Sequence, residues 1–385
     1  MLVYGLQTVA QTSAYAHPDE VGAHQTHQYL PLLTKKRVGL VVNQTSMIGK
    51  THLVDSLLYL KVAIKIIFAP EHGFRGNADA GEKIADSIDF KTHIPVVSLY
   101  GKHYKPTKEE LENIDIVVFD IQDVGARFYT YLSTLHYVME ACATEHKKLI
   151  VLDRPNPNIF YVDGPVLDTT LRSFVGLHPV PIVYGMSIGE YAQMINGEHW
   201  LKDGIRCDLS VIKINNYHHQ KRYQVPVKPS PNLPNELAIL LYPSLCLFEG
   251  TSISVGRGTP TPFQIFGHPD FNNHSFAFTP VSIVGMSRKP PFENQICYGE
   301  DLRNFPLKKC YQEPHLELKW LLYAYENLPH TSLFFNPFFE KLAGNRQFRQ
   351  QIAQKISPDS IRKTWQKEID AFLHIRAKYL LYPAK

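Results

Sequence analysis

Short runs of apolar, mostly β-branched residues recur along the first half of the chain. Their sequences and positions are 37-RVGLVV-42, 62-VAIKIIF-68, 94-IPVVSL-99, 115-DIVVFDI-121 and 148-KLIVLD-153. Near-continuous apolar runs of this length are typical of parallel strands that are buried on both faces. Segments with helical periodicity separate most of these runs, so the pattern predicts a doubly wound α/β domain over residues 33–205.

Two capping boxes and one apolar stripe predict where helices lie between the strands. Thr107 and Glu110 form the first box, and Ser187 and Glu190 form the second, ahead of 188-IGEYAQMINGEHWL-201. In such a box the hydroxyl and the carboxylate each accept a backbone N–H at the start of a helix. The apolar stripe repeats at helical spacing and consists of Leu132, Leu135, Met139 and Cys142.

The second half of the chain has a different texture. The segment 223–236 is rich in proline, and the segment 249–263 is rich in glycine and threonine. Such composition favours short strands and long loops over further strand–helix units. A terminal helix is predicted by an apolar face made of Ile361, Trp365, Ile369, Phe372 and Tyr379. We therefore predict a second, smaller α+β domain over residues 206–385.

Composition excludes several functional classes. The chain has 385 residues and a net charge of +4, and its charges are scattered. No stripe of Lys and Arg indicates a nucleic-acid partner, and no apolar run reaches the roughly 18 residues needed for a membrane span. The five cysteines are far apart and include no C-x-x-C pair, which argues against a zinc knuckle or a disulfide framework.

The first 32 residues form a separate N-terminal segment. Ala14, Tyr15 and Ala16 match the A-x-A cleavage site of a signal peptide, but a basic region and a strong apolar region are lacking ahead of them. We interpret residues 1–32 as a signal-peptide remnant. The predicted location is periplasmic or secreted, with a cytoplasmic location as the alternative.

Polar residues follow all five predicted strands. They are Asn43, Gln44 and Thr45 after the first, Glu71, His72 and Arg75 after the second, Tyr100 after the third, Asp120, Gln122, Asp123 and Arg127 after the fourth, and Asp153, Arg154 and Asn156 after the fifth. The carboxyl ends of parallel strands meet at one edge of the sheet, where ligands bind in open α/β folds. The sequence therefore predicts a functional cleft at this edge.

Nucleotide and metal sites have weak signals. No G-x-G-x-x-G follows the first strand, and 48-IGKT-51 has Gln44 where a phosphate-binding loop needs glycine. Asp120, Asp123 and His72 are the residues that would hold a hard cation, but Asp123 equally suits a helix cap near Gly125 that also pairs with Arg127. We predict no cofactor, and we keep a metal-dependent hydrolase as an alternative.

Carboxylate chemistry is the remaining interpretation of this edge. Glu71 follows a strand and a proline, so its carboxyl group is expected at the floor of the cleft, where a general acid would stand. A salt bridge with Arg75 is the alternative role for Glu71. Glu249, in the second domain, is expected to face the cleft from the other side, unless backbone amides bind it within its own loop.

Nine motifs together resemble those of the exo-β-N-acetylmuramidase family, long known only as a domain of unknown function. In order they are PEHGFRG with GE at 81–82, SLYG…PT, FDIQDVGARFYTY, LDRPNP, DGP, YGMSIGEYA, PSPN, LFEGT and GRGTPTPF. The resemblance covers residues 33–382, including FEKLAGN and the closing KYLLYP. One departure is Val255 in 254-SVGRGT-259, where many members have glutamate, and a catalytic role for that glutamate would leave this chain impaired.

The resemblance implies a Rossmann-like N-terminal domain, a smaller C-terminal domain and an active site between them. It also implies an exo-acting glycoside hydrolase that releases N-acetylmuramic acid (MurNAc) from the non-reducing end of peptidoglycan-derived glycans, in which MurNAc alternates with N-acetylglucosamine (GlcNAc). Glycoside hydrolysis usually requires two carboxyl groups, although an acetamido sugar permits a substrate-assisted route. The catalytic candidates are Glu71 as the acid, with Asp120, Asp123 and Glu249 for the second role.

Recognition of muramic acid needs a cation for its lactyl carboxylate, and a bidentate arginine is best suited to that task. Arg127, Arg154 and Arg257 are the arginine candidates, and Tyr129 and Tyr131 suit hydroxyl contacts or ring stacking unless they pack within a helix. The complete set of predicted substrate-binding residues is His72, Arg75, Gln122, Arg127, Tyr129, Tyr131, Arg154, Asn156, Asn232 and Arg257. A muropeptide-binding protein without catalysis is the non-enzymatic alternative.

Overall fold

The computed structural model describes residues 15–17, 20–71, 73–74 and 87–384. The strands are β1 Arg37–Val42, β2 Met47–Ile48, β3 Thr51–His52, β4 Ala63–Ala69, β5 Ser87–Ile88, β6 Pro95–Ser98, β7 Ile116–Asp120, β8 Lys148–Leu152, β9 Asp208–Ile212, β10 Ile265–His268, β11 Ala277–Phe278 and β12 Cys297–Asp301. The α-helices are α1 Thr26–Leu33, α2 Leu53–Tyr59, α3 Lys108–Glu112, α4 Tyr131–Thr144, α5 Ile188–Gly197, α6 Glu236–Leu245, α7 Leu307–Gln312, α8 Leu318–Asn327, α9 Phe339–Ala343, α10 Arg346–Ala353 and α11 Pro358–Ala377.

Seven strands of the described chain form one twisted sheet in the order β5-β6-β4-β1-β7-β8-β9. All neighbouring pairs are parallel except β5 with β6. The six parallel strands thus follow the order 3-2-1-4-5-6, which is that of Rossmann folds. The prediction of a doubly wound parallel sheet is confirmed, and all five predicted strands belong to it.

The sheet separates two hydrophobic cores, which explains why its strands have continuous apolar sequences. Along β7, Val117 and Phe119 lie in one core, whereas Ile116 and Val118 lie in the other. Helices α1 and α2 cover the second face, and α4, α5 and most of the C-terminal half cover the first. Successive side chains of a strand point to opposite faces, so a strand covered on both sides needs apolar residues at every position.

The C-terminal half is a smaller α+β arrangement. Strands β10, β12 and β11 form an antiparallel sheet, and helices α6 to α11 belong to the same half of the chain. Strand β9 lies after the boundary predicted at residue 205 but pairs in parallel with β8 of the large sheet. The domain limits remain a prediction.

The capping boxes and apolar stripes in the sequence predicted the helices correctly. Both capping boxes are present, at the starts of α3 and α5. The stripe that begins at Leu132 is buried in α4, and the predicted apolar face of the terminal helix is buried in α11 up to Phe372. Of the helices in the described ranges, none is long and apolar enough to cross a bilayer. The A-x-A motif begins at Ala14, outside those ranges, so the compartment also stays a prediction.

Candidate active site

The carboxyl ends of the central strands are closed by the protein's own side chains. Asp120, at the end of β7, is fully buried and receives two hydrogen bonds from the Arg154 guanidinium, at 2.5 and 2.8 Å. The Thr45 hydroxyl accepts the backbone N–H of Gln122 at 3.0 Å. These contacts bridge β1, β7 and β8, where the strand order reverses. Asp120 and Arg154 therefore form a buried ion pair at the place where a Rossmann fold often binds a ligand.

Asp123 is also buried. It caps the turn at Gly125 and not, as predicted, the start of a helix. Its Oδ2 accepts hydrogen bonds from the Gly125 N–H, at 2.7 Å, and from the Tyr184 hydroxyl. Helix α4 begins only at Tyr131. Burial raises the pKa of Asp123 to about 6, although these two donors act in the opposite direction.

Two predicted amide contacts are likewise internal. The Gln122 side chain donates to the carbonyls of Asp123 and Pro155 at 2.8 and 2.7 Å. The Asn156 side chain donates to the Met186 carbonyl and accepts the N–H of Asn158, both at 2.8 Å. Both residues are buried and hold loops together beneath the sheet edge.

Arg127 is a buried structural clamp. Its guanidinium donates to four backbone carbonyls at 2.7–2.9 Å. Two of these belong to Leu342 and Ala343 at the end of α9, so Arg127 ties the large sheet to the C-terminal half. Burial lowers the pKa of Arg127 to about 9. Neither Arg127 nor Arg154 lines the large pocket of the described chain.

That pocket has a volume of about 580 Å³ and is lined by residues from both halves of the protein. Glu71 lines it from the end of β4, where the chain turns through a hydrogen bond from the Gly73 N–H to the Pro70 carbonyl. The Glu71 carboxylate accepts a 2.8 Å hydrogen bond from Thr130, the residue just before α4. Tyr100, which follows β6, also lines the pocket and interacts with Glu71. The strand ends on one side of the sheet thus place a half-buried carboxylate in an open cavity.

Tyr129 and Tyr131 line the same pocket next to Glu71. Both hydroxyls donate to the carbonyl of Pro229, at 2.8 and 3.2 Å. These bonds hold the P-S-P-N loop in place, and its Asn232 lines the pocket and donates to the Met286 carbonyl. The Oδ1 atom of Asn232 is buried and has no hydrogen-bond partner among the described residues. The pocket wall thus includes an amide that is fixed through its nitrogen.

Glu249 and Arg257 form the facing wall from the C-terminal half. The Arg257 Nε donates to a Glu249 carboxylate oxygen, and the guanidinium lies 5.2 Å from the centre of the Phe263 ring. Burial alone would lower the pKa of Arg257, but the Glu249 carboxylate outweighs it and raises that pKa. Nη1 of Arg257 is buried without a partner in the described ranges. Arg257 stands between Gly256 and Gly258, whose φ angles of 76° and 78° form a tight loop that favours glycine.

Several residues that line the pocket were not predicted from the sequence. They are Ser230, Tyr242, Phe263, Thr130, Arg288 and Lys289. Arg288 and Lys289 lie on the loop between β11 and β12, which has no periodicity that would single them out. The predicted residues His72 and Arg75 lie outside the residues that the structure describes. Val255, the departure from the family motif, is buried in the hydrophobic core.

Among the residues that the structure describes, no group of three or more His, Cys, Asp or Glu side chains could hold a metal ion. Of the residues proposed for a cation, Asp120 is bound by Arg154 and Asp123 by Tyr184 and Gly125. His72 is not described. Among the described residues, the pocket combines two carboxylates, three cations and seven aromatic rings, which suits an acidic sugar.

Comparison with known proteins gives this arrangement its context. The family model described as the N-terminal part of the exo-β-N-acetylmuramidase NamZ matches residues 38–237, and that of the C-terminal part matches residues 240–382. The chain belongs to the NamZ family. The two NamZ models meet just after the P-S-P-N loop, and residues from both of them line the pocket.

Individual NamZ relatives agree with this assignment. The peptidoglycan β-N-acetylmuramidase NamZ of Bacillus subtilis (strain 168) is 37% identical over 372 residues, which cover 92% of this chain and 89% of the relative. A crystal structure of a DUF1343 family protein from Bacteroides fragilis NCTC 9343 has a TM-score of 0.88 and 45% identity, with coverage of 95% and 99%. A second such protein from that organism has a TM-score of 0.80 and 28% identity, with coverage of 94% and 98%.

Proposed function

We propose that the protein is an exo-acting glycoside hydrolase that releases MurNAc from the non-reducing end of peptidoglycan-derived glycans. Membership of the NamZ family supports the reaction and the substrate class. The observation that carries the proposal is that Glu71 and Glu249, the carboxylates that line the pocket in the described chain, come from the two halves of the protein. The pocket volume falls within the range of roughly 300–1,000 Å³ that is usual for small-molecule sites.

Glu71 is the proposed general acid, which protonates the glycosidic oxygen as the bond to the leaving sugar breaks. Thr130 holds one oxygen of the Glu71 carboxyl group. Glu249 is the proposed second carboxylate, and its ion pair with Arg257 fixes its position in the pocket. There it either attacks or activates water at the anomeric carbon, or it supports attack by the substrate's own acetamido oxygen.

The cations of the pocket are the proposed readers of the lactyl carboxylate. Arg257, Arg288 and Lys289 all line the pocket, the last two at its exposed side. A carboxylate held by two or three such donors would distinguish MurNAc from GlcNAc, which lacks the lactyl group. Asn232, which also lines the pocket, is the proposed contact for the acetamido group that both sugars carry.

A chromogenic β-N-acetylmuramide tests the proposal. We expect the wild type to release the chromophore equally with and without a chelator, and we expect Glu71→Gln to retain the fold but less than about a tenth of the rate. Glu109→Gln, at an exposed site on α3, is the matched control. Loss of activity in chelator would favour the metal-dependent alternative. Binding of the muramide without release would favour a non-catalytic muropeptide-binding protein.

A further inference from the structure

Four aromatic rings form a continuous surface that starts at the pocket and leads away from Glu71. Tyr100 lines the pocket, and its ring centre lies 5.8 Å from that of Phe174 and 6.3 Å from that of Tyr104. Tyr104 and Phe174 are 4.3 Å apart, and Tyr137 stacks on both at 6.2 and 6.3 Å. We call these four residues the aromatic shelf.

The shelf is not part of the packed interior. All four rings are partly exposed, whereas strand residues such as Phe68 and Phe119 are fully buried. None of the four belongs to either hydrophobic core of the described residues. Aromatic rings that pack on one another at a surface keep their outer faces open to a ligand, and sugars bind to such faces through their apolar C–H groups.

The shelf also has the right direction and length. Thr130, the hydrogen-bond partner of Glu71, immediately precedes α4, and Tyr137 is on the same face of that helix two turns later. Seven residues of helix correspond to about 10 Å. Val175, next to Phe174, also lines the pocket, so the pocket and the shelf share an edge on two elements. A glycan whose terminal sugar fills the pocket would place its next sugar on this surface.

We propose that the aromatic shelf is the binding site for the leaving-group sugar, the GlcNAc that follows the terminal MurNAc. The proposal rests on the proposed function for the orientation of the glycan. Stacking on Tyr104 and Phe174 would position the GlcNAc ring so that the glycosidic oxygen lies beside Glu71. The shelf therefore strengthens the binding of substrates whose leaving group is a sugar, and it does not affect the binding of substrates that lack this sugar.

Two substrates separate this role from a structural one. For the disaccharide MurNAc-β-1,4-GlcNAc, we expect kcat/KM to fall about tenfold in Tyr104→Ala and in Phe174→Ala, since one aromatic contact of this kind is worth roughly that much. For methyl β-N-acetylmuramide, we expect both variants to stay within about twofold of the wild type. Tyr104→Phe keeps the ring and should behave as the wild type, as should Phe90→Ala, an exposed ring outside the pocket.

The outcomes are distinguishable. An equal fall for both substrates, or an unchanged rate for the disaccharide, would overturn the shelf as a sugar site. A wild type that cleaves neither substrate would overturn the proposed function alone. In that case the dissociation constant of the disaccharide, measured by calorimetry, decides for the shelf: an increase of about tenfold in Tyr104→Ala supports it, and equal affinity overturns it.

Discussion

The Thr130 hydroxyl donates a 2.8 Å hydrogen bond to the Glu71 carboxylate, and this bond joins two residues that are 59 positions apart in the sequence. Glu71 follows β4, whereas Thr130 immediately precedes α4. A glutamate side chain has three rotatable bonds, so a fixed donor is needed to keep its carboxyl group in one place. The start of α4 therefore positions the proposed acid.

Replacing Thr130 by valine should lower kcat by about three- to tenfold while KM stays within about twofold. Valine keeps the shape of threonine but removes the hydrogen bond that fixes the carboxyl group, and a bond to the neutral acid is worth roughly 0.5–1.5 kcal/mol. Thr130→Ser retains the hydroxyl and should retain most of the rate. Thr134→Val, which removes a hydroxyl bonded within the helix, is the control. Equal rates in Thr130→Val and wild type, measured on the chromogenic muramide, would show that the bond does not position the acid.

Arg154→Met should destabilise the fold by about 3–5 kcal/mol, because it leaves the Asp120 carboxylate buried without its partner. Urea unfolding measures this loss, and the double variant with Asp120→Asn should recover part of it. The relative affinity for MurNAc and GlcNAc should not change, since Arg154 does not line the pocket. A variant of normal stability that loses this discrimination would instead support the role first predicted for Arg154.

Local sequence patterns were sufficient for the large sheet and for the helices around it. Continuous apolar runs identified β1, β4, β6, β7 and β8, because burial on both faces leaves little room for polar residues. Strand β9, with the sequence DLSVI, was missed, since it is an edge strand whose residues are mostly exposed or half-buried. Its membership depends on pairing with β8, which no local pattern reveals.

The candidate site was predicted only in part for a similar reason. The sequence indicated Glu71, Glu249 and Arg257 through their positions after strands and in glycine-rich loops. It could not separate Arg257 from Arg127, whose guanidinium binds carbonyls 215 and 216 residues away. A charged residue after a strand looks the same in sequence whether its partner is a ligand or a distant backbone. Tertiary contacts alone decide between them.

Arg288→Gln and Lys289→Gln should each weaken competitive inhibition by free MurNAc about tenfold and leave inhibition by GlcNAc unchanged. Each change removes one charge-assisted contact to the lactyl carboxylate, which GlcNAc lacks. Both residues lie at the exposed side of the pocket, so the effect should shrink at high salt. Arg303→Gln, an exposed change next to β12, is the control. Parallel weakening by both sugars would contradict a role in reading the lactyl group.

Asp123→Asn should remove a pH dependence of stability that the wild type shows. Burial raises the pKa of Asp123 from its ordinary 3.8 to about 6, so between these values the folded chain binds more protons than the unfolded chain. The free energy of unfolding therefore falls as pH rises from about 4 to about 6, by about 3 kcal/mol in total. Asparagine resembles the protonated carboxyl group and does not titrate.

Urea unfolding at several pH values between about 4 and 7.5 measures the free energy of unfolding of the wild type and of Asp123→Asn. The other titrating groups are common to both proteins, so their contributions cancel in the difference. We expect the stability of the wild type relative to Asp123→Asn to decrease with rising pH and to level off above about pH 7. A difference that stays constant over this range would mean that Asp123 is ionised throughout. A difference that rises with pH would mean that the Tyr184 and Gly125 donors outweigh burial and hold the carboxylate in its charged form.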